Sequence, residues 1–175
     1  MLDNILFKNG KFKDLPRIKE IELAGNLIFP DGRLPNPFET FPEEILRTRI
    51  ENGRLLVVQV DKEIAGFAVF DFVENDLFLE EISVHPDFGR RGIGRKLMNH
   101  LLDLAREQGR SRITLTTFSD IKWNAPFYES MGFKLLKSGK RRDYISSHLQ
   151  SEASTGMKNR IGMAYEIPVS DSNAF

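Results

Sequence analysis

The sequence contains no cysteine, and this absence excludes a whole set of reactions. A chain without thiols has no thiolate nucleophile, no zinc–thiolate site and no disulfide bond. The composition is therefore typical of a protein from a reducing compartment. The first thirteen residues also lack a basic segment followed by a long apolar run, which is the pattern of a secretory signal. We expect a cytoplasmic protein.

The chain has neither a long hydrophobic run nor an excess of one charge. No apolar stretch reaches the roughly 18 residues that a membrane-spanning helix needs, so we expect no membrane contact. The 25 Lys and Arg residues balance the 25 Asp and Glu residues. With a net charge of zero, no global field favours a nucleic-acid partner. His85, His100 and His148 lack the spacing of metal ligands, so we expect no metal ion.

The residues that are present suffice for one globular core. Hydrophobic residues make up 41% and charged residues 29% of the 175 residues, which is typical of a globular protein. This length fits a single domain that needs no disulfide or structural metal. Because no internal repeat or linker divides the chain, we predict one domain over residues 1–175.

The apolar periodicity predicts an α/β (α+β) fold with a mixed, mostly antiparallel sheet of about seven strands flanked by helices. The predicted strands are residues 5–7, 55–60, 64–73, 77–84, 112–118, 133–137 and 160–167. Helical spacing fills residues 14–23, 43–50 and 94–108, with short helices after Asn124 and over 140–151. The strand, helix, strand unit over 77–118 implies one parallel strand pair. Three prolines predict an irregular loop over 29–41, and Thr40 with Glu43 predicts a capping box after it.

A glycine-rich turn follows the fourth predicted strand and leads into the long helix. It consists of Gly89, Arg90, Arg91, Gly92, Ile93 and Gly94, and Arg95 and Lys96 come next. Glycines let backbone N–H groups approach an anion, and the helix start adds unpaired donors. The turn therefore predicts a phosphate site, although basic side chains at a helix start also occur on solvated surfaces.

Two familiar phosphate-binding motifs do not fit this turn. A P-loop needs Lys and then Ser or Thr where Arg95 and Lys96 stand, so no hydroxyl is available for magnesium. A dinucleotide-binding turn beginning at Gly92 has Leu97 in place of its third glycine, and the turn follows an antiparallel meander. A phosphate ligand without a magnesium site indicates the pyrophosphate of a coenzyme.

At these residues the sequence resembles the GCN5-related N-acetyltransferases, the GNAT family. The acetyl-CoA motif of that family is Gln or Arg, two residues, Gly, one residue, then Gly or Ala. Residues 89–94 match it except at the first position, where Gly89 stands. The segment 124–133 is similar to a second signature of the family, an Asn followed by a helical Tyr and a closing Gly-Phe.

The resemblance implies a splayed strand pair and acetyl-CoA as co-substrate. The pantetheine arm would lie beside Ile82, Ser83 and Val84, and a backbone N–H would hold the thioester oxygen. The pyrophosphate would lie in the turn from Gly89 to Arg95. Asn124 would contact the coenzyme from the other side, or would simply cap the short helix.

The resemblance also implies the two catalytic side chains. Tyr128 matches the tyrosine that donates a proton to the departing thiolate in many members, with a core aromatic as the alternative. Glu80 and Glu81 are the candidate bases for the amine. Adjacent strand residues face opposite ways unless a β-bulge intervenes, so only one can face the reacting centre. Since the family often has an acid at the position of Glu80, we favour Glu80.

The expected activity is direct transfer of an acetyl group to a primary amine. The acceptor would be a small-molecule amine or a peptide, and the loop over residues 29–41 would border it by analogy with the family. Because many relatives pair through their C-terminal strands, a homodimer is an assembly that the resemblance allows. The alternative function is a CoA-binding sensor or regulatory module without chemistry.

Overall fold

Seven strands form one sheet in the computed structural model, which describes residues 4–140 and 142–168. The strands are Ile5–Asn9 (β1), Leu55–Val60 (β2), Glu63–Val73 (β3), Asp76–Val84 (β4), Arg112–Phe118 (β5), Lys134–Leu135 (β6) and Arg160–Glu166 (β7). The helices are Leu15–Asn26 (α1), Glu43–Glu51 (α2), Ile93–Glu107 (α3), Ala125–Glu129 (α4) and Asp143–Ser154 (α5). Within the described ranges, no helix combines the length and apolar character needed to cross a membrane.

The sheet order is β1-β2-β3-β4-β5-β7-β6, and only β4 and β5 run parallel among the paired strands of the described chain. The predicted mixed, mostly antiparallel sheet is therefore confirmed. Helix α3 makes the crossover between the two parallel strands. A crossover of this kind brings the end of β4, the turn and the start of α3 to one edge of the sheet.

Two apolar cores cover the two faces of the sheet. The larger core holds the buried face of α3 and the aromatic side chains of α4, and its strand residues include Leu77, Leu79 and Leu115. The smaller core lies on the opposite face, where Ile18 and Ile21 of α1 and other residues of α1 and α2 pack on β2 and β3. Helix α5 lies on that second face, because Thr114, which alternates with the core residues of β5, contacts α5.

Helix α3 follows directly from its sequence. Leu97, Met98, Leu101, Leu102 and Ala105 recur at helical spacing, and all are buried in the larger core. The helix ends before Gly109, whose φ of +63° is in the region that glycine adopts at low cost.

Several local predictions differ from the structure, among them the bounds of β1 and α1. The capping box of Thr40 and Glu43 does not form, since Pro42 occupies the N-cap position of α2 without a side-chain bond. Strand β6 has two residues where five were predicted, and α5 continues to Ser154, beyond the predicted end at residue 151.

Candidate functional site

The parallel strands β4 and β5 separate after a short paired segment. Residues 76–78 pair with residues 112–114, whereas the described chain shows no pairing between β4 and β5 beyond Phe78. From Leu79 to Val84, β4 still pairs with β3 on its other side. The edge of β4 that faces β5 therefore presents unpaired backbone groups, which can bind an extended ligand as a further strand would.

A β-bulge lies in β4 at the start of this gap. Phe70 of β3 faces Leu79, but the preceding Val69 faces Glu81, so Glu80 has no partner on β3. An extra residue shifts the alternation of side chains, and Leu79 and Ile82 consequently pack on the same core. Glu80 and Glu81 both face the side of the sheet covered by α1, α2 and α5. The sequence analysis allowed for a β-bulge that would put both glutamates on one face of the sheet, and the structure has this bulge.

Glu80 is held by an arginine of α2. Its Oε2 accepts from Arg49 Nε at 2.7 Å and its Oε1 accepts from Arg49 Nη2 at 2.8 Å. Arg49 also lies 3.0 Å from Asp71, which pairs with Arg54. Both carboxylate oxygens of Glu80 are thus engaged in a partly buried network, which gives this residue a bridging role between β4 and α2.

Glu81 has a different environment in the gap. Oε1 accepts a 3.1 Å hydrogen bond from Ser83 Oγ, and the Arg160 guanidinium lies close enough to interact with the carboxylate. Burial raises the pKa of Glu81 to about 7, against the opposing effects of Ser83 and Arg160. A carboxyl with this pKa can exchange a proton near neutral pH, as a general base must.

A third carboxyl, Glu22 of α1, lies near Glu81 and was missed in the sequence. It is 5% exposed, and Oε1 accepts a 2.8 Å bond from the backbone N–H of Phe41 at the end of the 29–41 loop. Oε2 is buried without a partner among the described residues. Burial and then the charge of Glu81 raise the pKa of Glu22 to about 8. The sequence did contain a signal for it, because Glu22 stands among the apolar residues of an amphipathic helix, where a charged side chain is unusual.

Tyr128 of α4 reaches the same gap from the larger core. It is 8% exposed, and its ring packs against Phe127 and Phe133 with centroid distances of 5.2 and 5.6 Å. Its hydroxyl makes no hydrogen bond to any described residue. Burial raises the pKa of Tyr128, and the negative charge of Glu81 raises it further. The phenol is therefore protonated at neutral pH and free to donate.

A cavity of about 460 Å³ lies between the gap and the glycine turn. It brings together most of the residues that were predicted to bind a coenzyme. They are Ile82, Ser83, Val84, Gly89, Arg90, Gly92, Ile93, Gly94, Arg95 and Asn124. Arg91 does not line the cavity, and its guanidinium lies over the ring of Phe88. Trp123, Phe127 and Tyr128 form an aromatic wall.

The turn has the backbone features of an anion site. Gly92 adopts a φ of +74° as the N-cap of α3, which turns successive N–H groups toward one side. Across the described chain, no hydrogen bond uses the backbone N–H groups from Arg90 to Arg95. At Gly89 a Cβ would lie 2.9 Å from the carbonyl oxygen of Pro86. Gly89 departs from the family motif, and the turn as it stands has no space for a side chain at this position.

Asn124 connects the two sides of the gap. Its Oδ1 accepts a 3.0 Å bond from Thr117 Oγ1 of β5, and the structure gives it no side-chain cap bond at the start of α4. It lines the large cavity together with Ile82 and Tyr128. These three residues also line a second, smaller cavity of about 110 Å³.

The smaller cavity opens on the face of the sheet where Glu81 lies. Its remaining lining is mostly polar and comes from β4, β5 and β7: Leu79, Glu80, Glu81, Leu115, Thr116, Thr117 and Arg160. Arg160 was also missed in the sequence, since an arginine at the start of a strand carries no distinguishing pattern. In the part of the chain that the structure describes, no group of three or more His, Asp or Glu side chains is arranged to hold a metal ion.

The sequence and the fold both match known proteins. A family model, the acetyltransferase (GNAT) family, matches residues 21–133. The [ribosomal protein bS18]-alanine N-acetyltransferase of Salmonella typhimurium is 35% identical over 89 residues, which is 51% of this chain and 59% of that protein. The chain thus spans less than two thirds of this relative's length.

Solved structures share the fold along nearly the whole chain. The ribosomal-protein-S18-alanine N-acetyltransferase of Escherichia coli superposes with a TM-score of 0.69 at 22% identity, covering 98% of this chain and 99% of that one. The PaiA N-acetyltransferase of Thermoplasma acidophilum, in complex with coenzyme A, gives 0.70 at 16% identity, covering 93% and 99%. Since the family model matches more than half of its residues, the protein belongs to the acetyltransferase (GNAT) family.

Proposed function

We propose that the protein is an N-acetyltransferase that moves an acetyl group directly from acetyl-CoA to a primary amine. The observation that supports this proposal best is that two cavities at the β4–β5 gap share Ile82, Asn124 and Tyr128 in their walls. One cavity meets the glycine turn, the other meets Glu81, and Tyr128 borders both. A coenzyme on one side and an amine on the other would meet at this residue.

The large cavity offers hydrogen-bond donors that suit the charged part of acetyl-CoA. The unused N–H groups from Arg90 to Arg95 and the cations of the turn would hold the pyrophosphate. The free edge of β4 at Ile82 and Val84 would pair with the amides of the pantetheine arm. A backbone N–H of the same edge would stabilise the negative charge that develops on the thioester oxygen.

In our proposal Glu81 is the general base, in place of Glu80. An ammonium group must lose a proton before its nitrogen can attack, and the Glu81 carboxyl lies in the gap without an ion-pair partner within 4 Å among the described residues. Its pKa near 7 lets it accept this proton at neutral pH. Glu80, whose two oxygens are both bonded to Arg49, is the less suitable base.

Tyr128 would then donate to the sulfur of the departing coenzyme. The charge of Glu81 is one of the causes that raise the pKa of the phenol. When Glu81 accepts the amine proton, that charge disappears and the phenol becomes more acidic. The two groups are thus coupled so that Tyr128 donates most readily at the step where a thiolate needs a proton.

The test is an acetyl-CoA turnover assay with a panel of primary amines, followed by release of free thiol and by mass spectrometry of the acetylated product. We expect turnover with at least one amine and intersecting initial-velocity patterns, as direct transfer requires. Parallel patterns would instead indicate an acyl-enzyme and would contradict direct transfer. Tight binding of CoA with no turnover across the panel would contradict the proposal and favour a sensor.

A further inference from the structure

Arg160, at the start of β7, keeps part of its hydrogen-bonding capacity unused. Its Nε donates to Glu152 Oε2 at 3.0 Å, and its Nη2 donates to Glu152 Oε1 at 2.6 Å and to Thr116 Oγ1 at 3.1 Å. Its Nη1 has no partner within the described residues. Nη1 is not one of the fully buried atoms that lack a partner, so this nitrogen keeps some contact with solvent. An arginine has five donors, and two of them remain for a ligand here.

The position of this guanidinium is fixed by its neighbours. Glu152 and Thr116 hold one edge, and the ring of Phe118 lies beneath it with a centroid distance of 4.5 Å. The side chain is 15% exposed and lines the small cavity together with Glu81. A fixed, partly buried donor beside the candidate base can select a ligand, because little conformational entropy is lost when the ligand binds.

The charges around the small cavity define what would fit. Glu80 is balanced by Arg49, and Arg160 is balanced by Glu152. Glu81, with a pKa of about 7, contributes a carboxyl that has no ion-pair partner within 4 Å among the described residues, and Arg160 contributes the N–H donors of Nη1. The complement is a ligand with one ammonium group and, a short distance away, an oxygen that accepts a hydrogen bond.

We propose that Arg160 determines acceptor specificity by donating from Nη1 to an oxygen on the carbon next to the amine-bearing carbon. Because a carbonyl or carboxylate oxygen is the better acceptor for a guanidinium, the proposed acceptor is an α-aminoacyl unit, either the N-terminus of a peptide or a free amino acid. This inference rests on the proposed acetyltransferase activity, with Glu81 receiving the proton of the same α-amine. The small volume of the cavity, about 110 Å³, suits a head group of a few heavy atoms.

Amines without such an oxygen would bind less well. Alkylamines and polyamines would displace water from the Nη1 donors and leave them unpaired. Discrimination of this kind is large when a site is built to hydrogen-bond a group that the competitor lacks. The ratio of kcat/KM for an α-aminoacyl acceptor to kcat/KM for a simple amine should therefore be well above one.

The experiment compares kcat/KM for L-alaninamide, L-alanine and isopropylamine, each expressed per unprotonated amine. The variants are Glu152→Gln, which keeps Arg160, and the double variant Arg160→Gln/Glu152→Gln, which leaves two neutral amides facing each other. Arg106→Gln, at an exposed pair on α3, is the matched control. The readout is the ratio of L-alaninamide to isopropylamine, which a general loss of activity does not alter.

We expect the ratio to stay within about threefold in Arg106→Gln and to fall less than about tenfold in Glu152→Gln, whose amide oxygen can still hold Arg160. In the double variant it should fall about 10- to 100-fold. An unchanged ratio in the double variant would overturn the role of Arg160. If the double variant does not fold, the wild-type ratio decides, because equal use of isopropylamine would overturn the inference. Absence of turnover with every amine would instead contradict the acetyltransferase proposal itself. The comparison of L-alaninamide with L-alanine distinguishes a peptide terminus from a free amino acid.

Discussion

Arg49 of α2 binds Glu80 of β4 through two parallel hydrogen bonds, at 2.7 and 2.8 Å. This pair divides two adjacent acids into separate roles. Glu80 fastens the bulge of β4 to α2, whereas Glu81 stays in the gap with a pKa near 7. The proposal of Glu81 as the base therefore rests on the partner and the burial of each glutamate more than on its position in the strand.

Glu80→Gln is expected to lower stability more than activity. The substitution leaves the partly buried Arg49 with Asp71 alone, which should cost about 1–3 kcal/mol in the free energy of unfolding. We expect kcat to stay within about fivefold of the wild-type value, because the base is retained. Urea denaturation and the turnover assay measure the two effects. Glu44→Gln, on the exposed side of α2, is the control, and a collapse of kcat at unchanged stability in Glu80→Gln would restore Glu80 as the base.

Tyr128→Phe is expected to lower activity while leaving stability nearly unchanged. The ring contacts with Phe127 and Phe133 are retained and the hydroxyl has no partner to lose among the described residues, so stability should change by less than about 0.5 kcal/mol. The proton donor is lost, and kcat should fall about 10²-fold with little change in the KM for acetyl-CoA.

Tyr144→Phe is the matched control for that substitution. The hydroxyl of Tyr144 bonds to Asp76 at 2.7 Å and to Thr114 at 2.7 Å, away from the gap. We expect it to lower stability by about 1–2 kcal/mol and to leave kcat nearly unchanged. A Tyr128→Phe variant with full activity would reduce Tyr128 to a core aromatic.

Gly89→Gln places the residue that is common in the family motif into this turn. Because a Cβ there would meet the carbonyl oxygen of Pro86 at 2.9 Å, the backbone of the turn must shift. We expect the Kd for coenzyme A, measured by calorimetry, to rise about tenfold. At Gly139 a Cβ meets nothing within 4 Å, so Gly139→Gln should leave binding unchanged. Tighter binding in Gly89→Gln would show that the missing side chain matters more than the shape of the turn.

Glu22→Gln is expected to alter how stability depends on pH. The pKa of Glu22 is raised from 4.5 to about 8 in the folded chain, so the folded state keeps a proton that the unfolded state releases. Stability therefore falls as the pH rises from about 4.5 to 8, by on the order of 3 kcal/mol from this residue. Glu81, the neighbouring Lys19 and the N–H of Phe41 are the groups that face it.

Glu22→Gln lacks the titrating carboxyl, so its unfolding free energy should no longer fall with rising pH because of this residue. Between pH 5 and pH 8, the wild type should lose more unfolding free energy in urea titrations than Glu22→Gln does. Glu20→Gln, an exposed acid on the same helix, should follow the wild type. Parallel curves for wild type and Glu22→Gln would mean that Glu22 ionises normally.

The sequence predicted the fold, and most of the residues that it assigned to the coenzyme lie around one cavity, because both depend on local patterns. The periodicity of Leu97 and its neighbours and the glycine turn are properties of short segments. The bulge at Glu80 depends on how β3 and β4 align. The proposal of Glu81 as the base depends on the bond between Glu80 and Arg49, which lies 31 residues earlier in the chain. The environments of Glu22 and Arg160 likewise arise from contacts between distant segments. A homodimer and a cytoplasmic location stay predictions.

The pH dependence of kcat/KM in wild type and Glu81→Gln tests the central claim most directly. For the wild type, measured with an excess of acetyl-CoA and one amine that turns over, we predict a rising limb with an apparent pKa near 7. In Glu81→Gln that limb should disappear and kcat/KM at pH 8 should fall about 10²- to 10⁴-fold, while Glu80→Gln keeps it. A limb that persists near pH 7 in Glu81→Gln, with activity within about threefold of wild type, would contradict the assignment of Glu81 as the base.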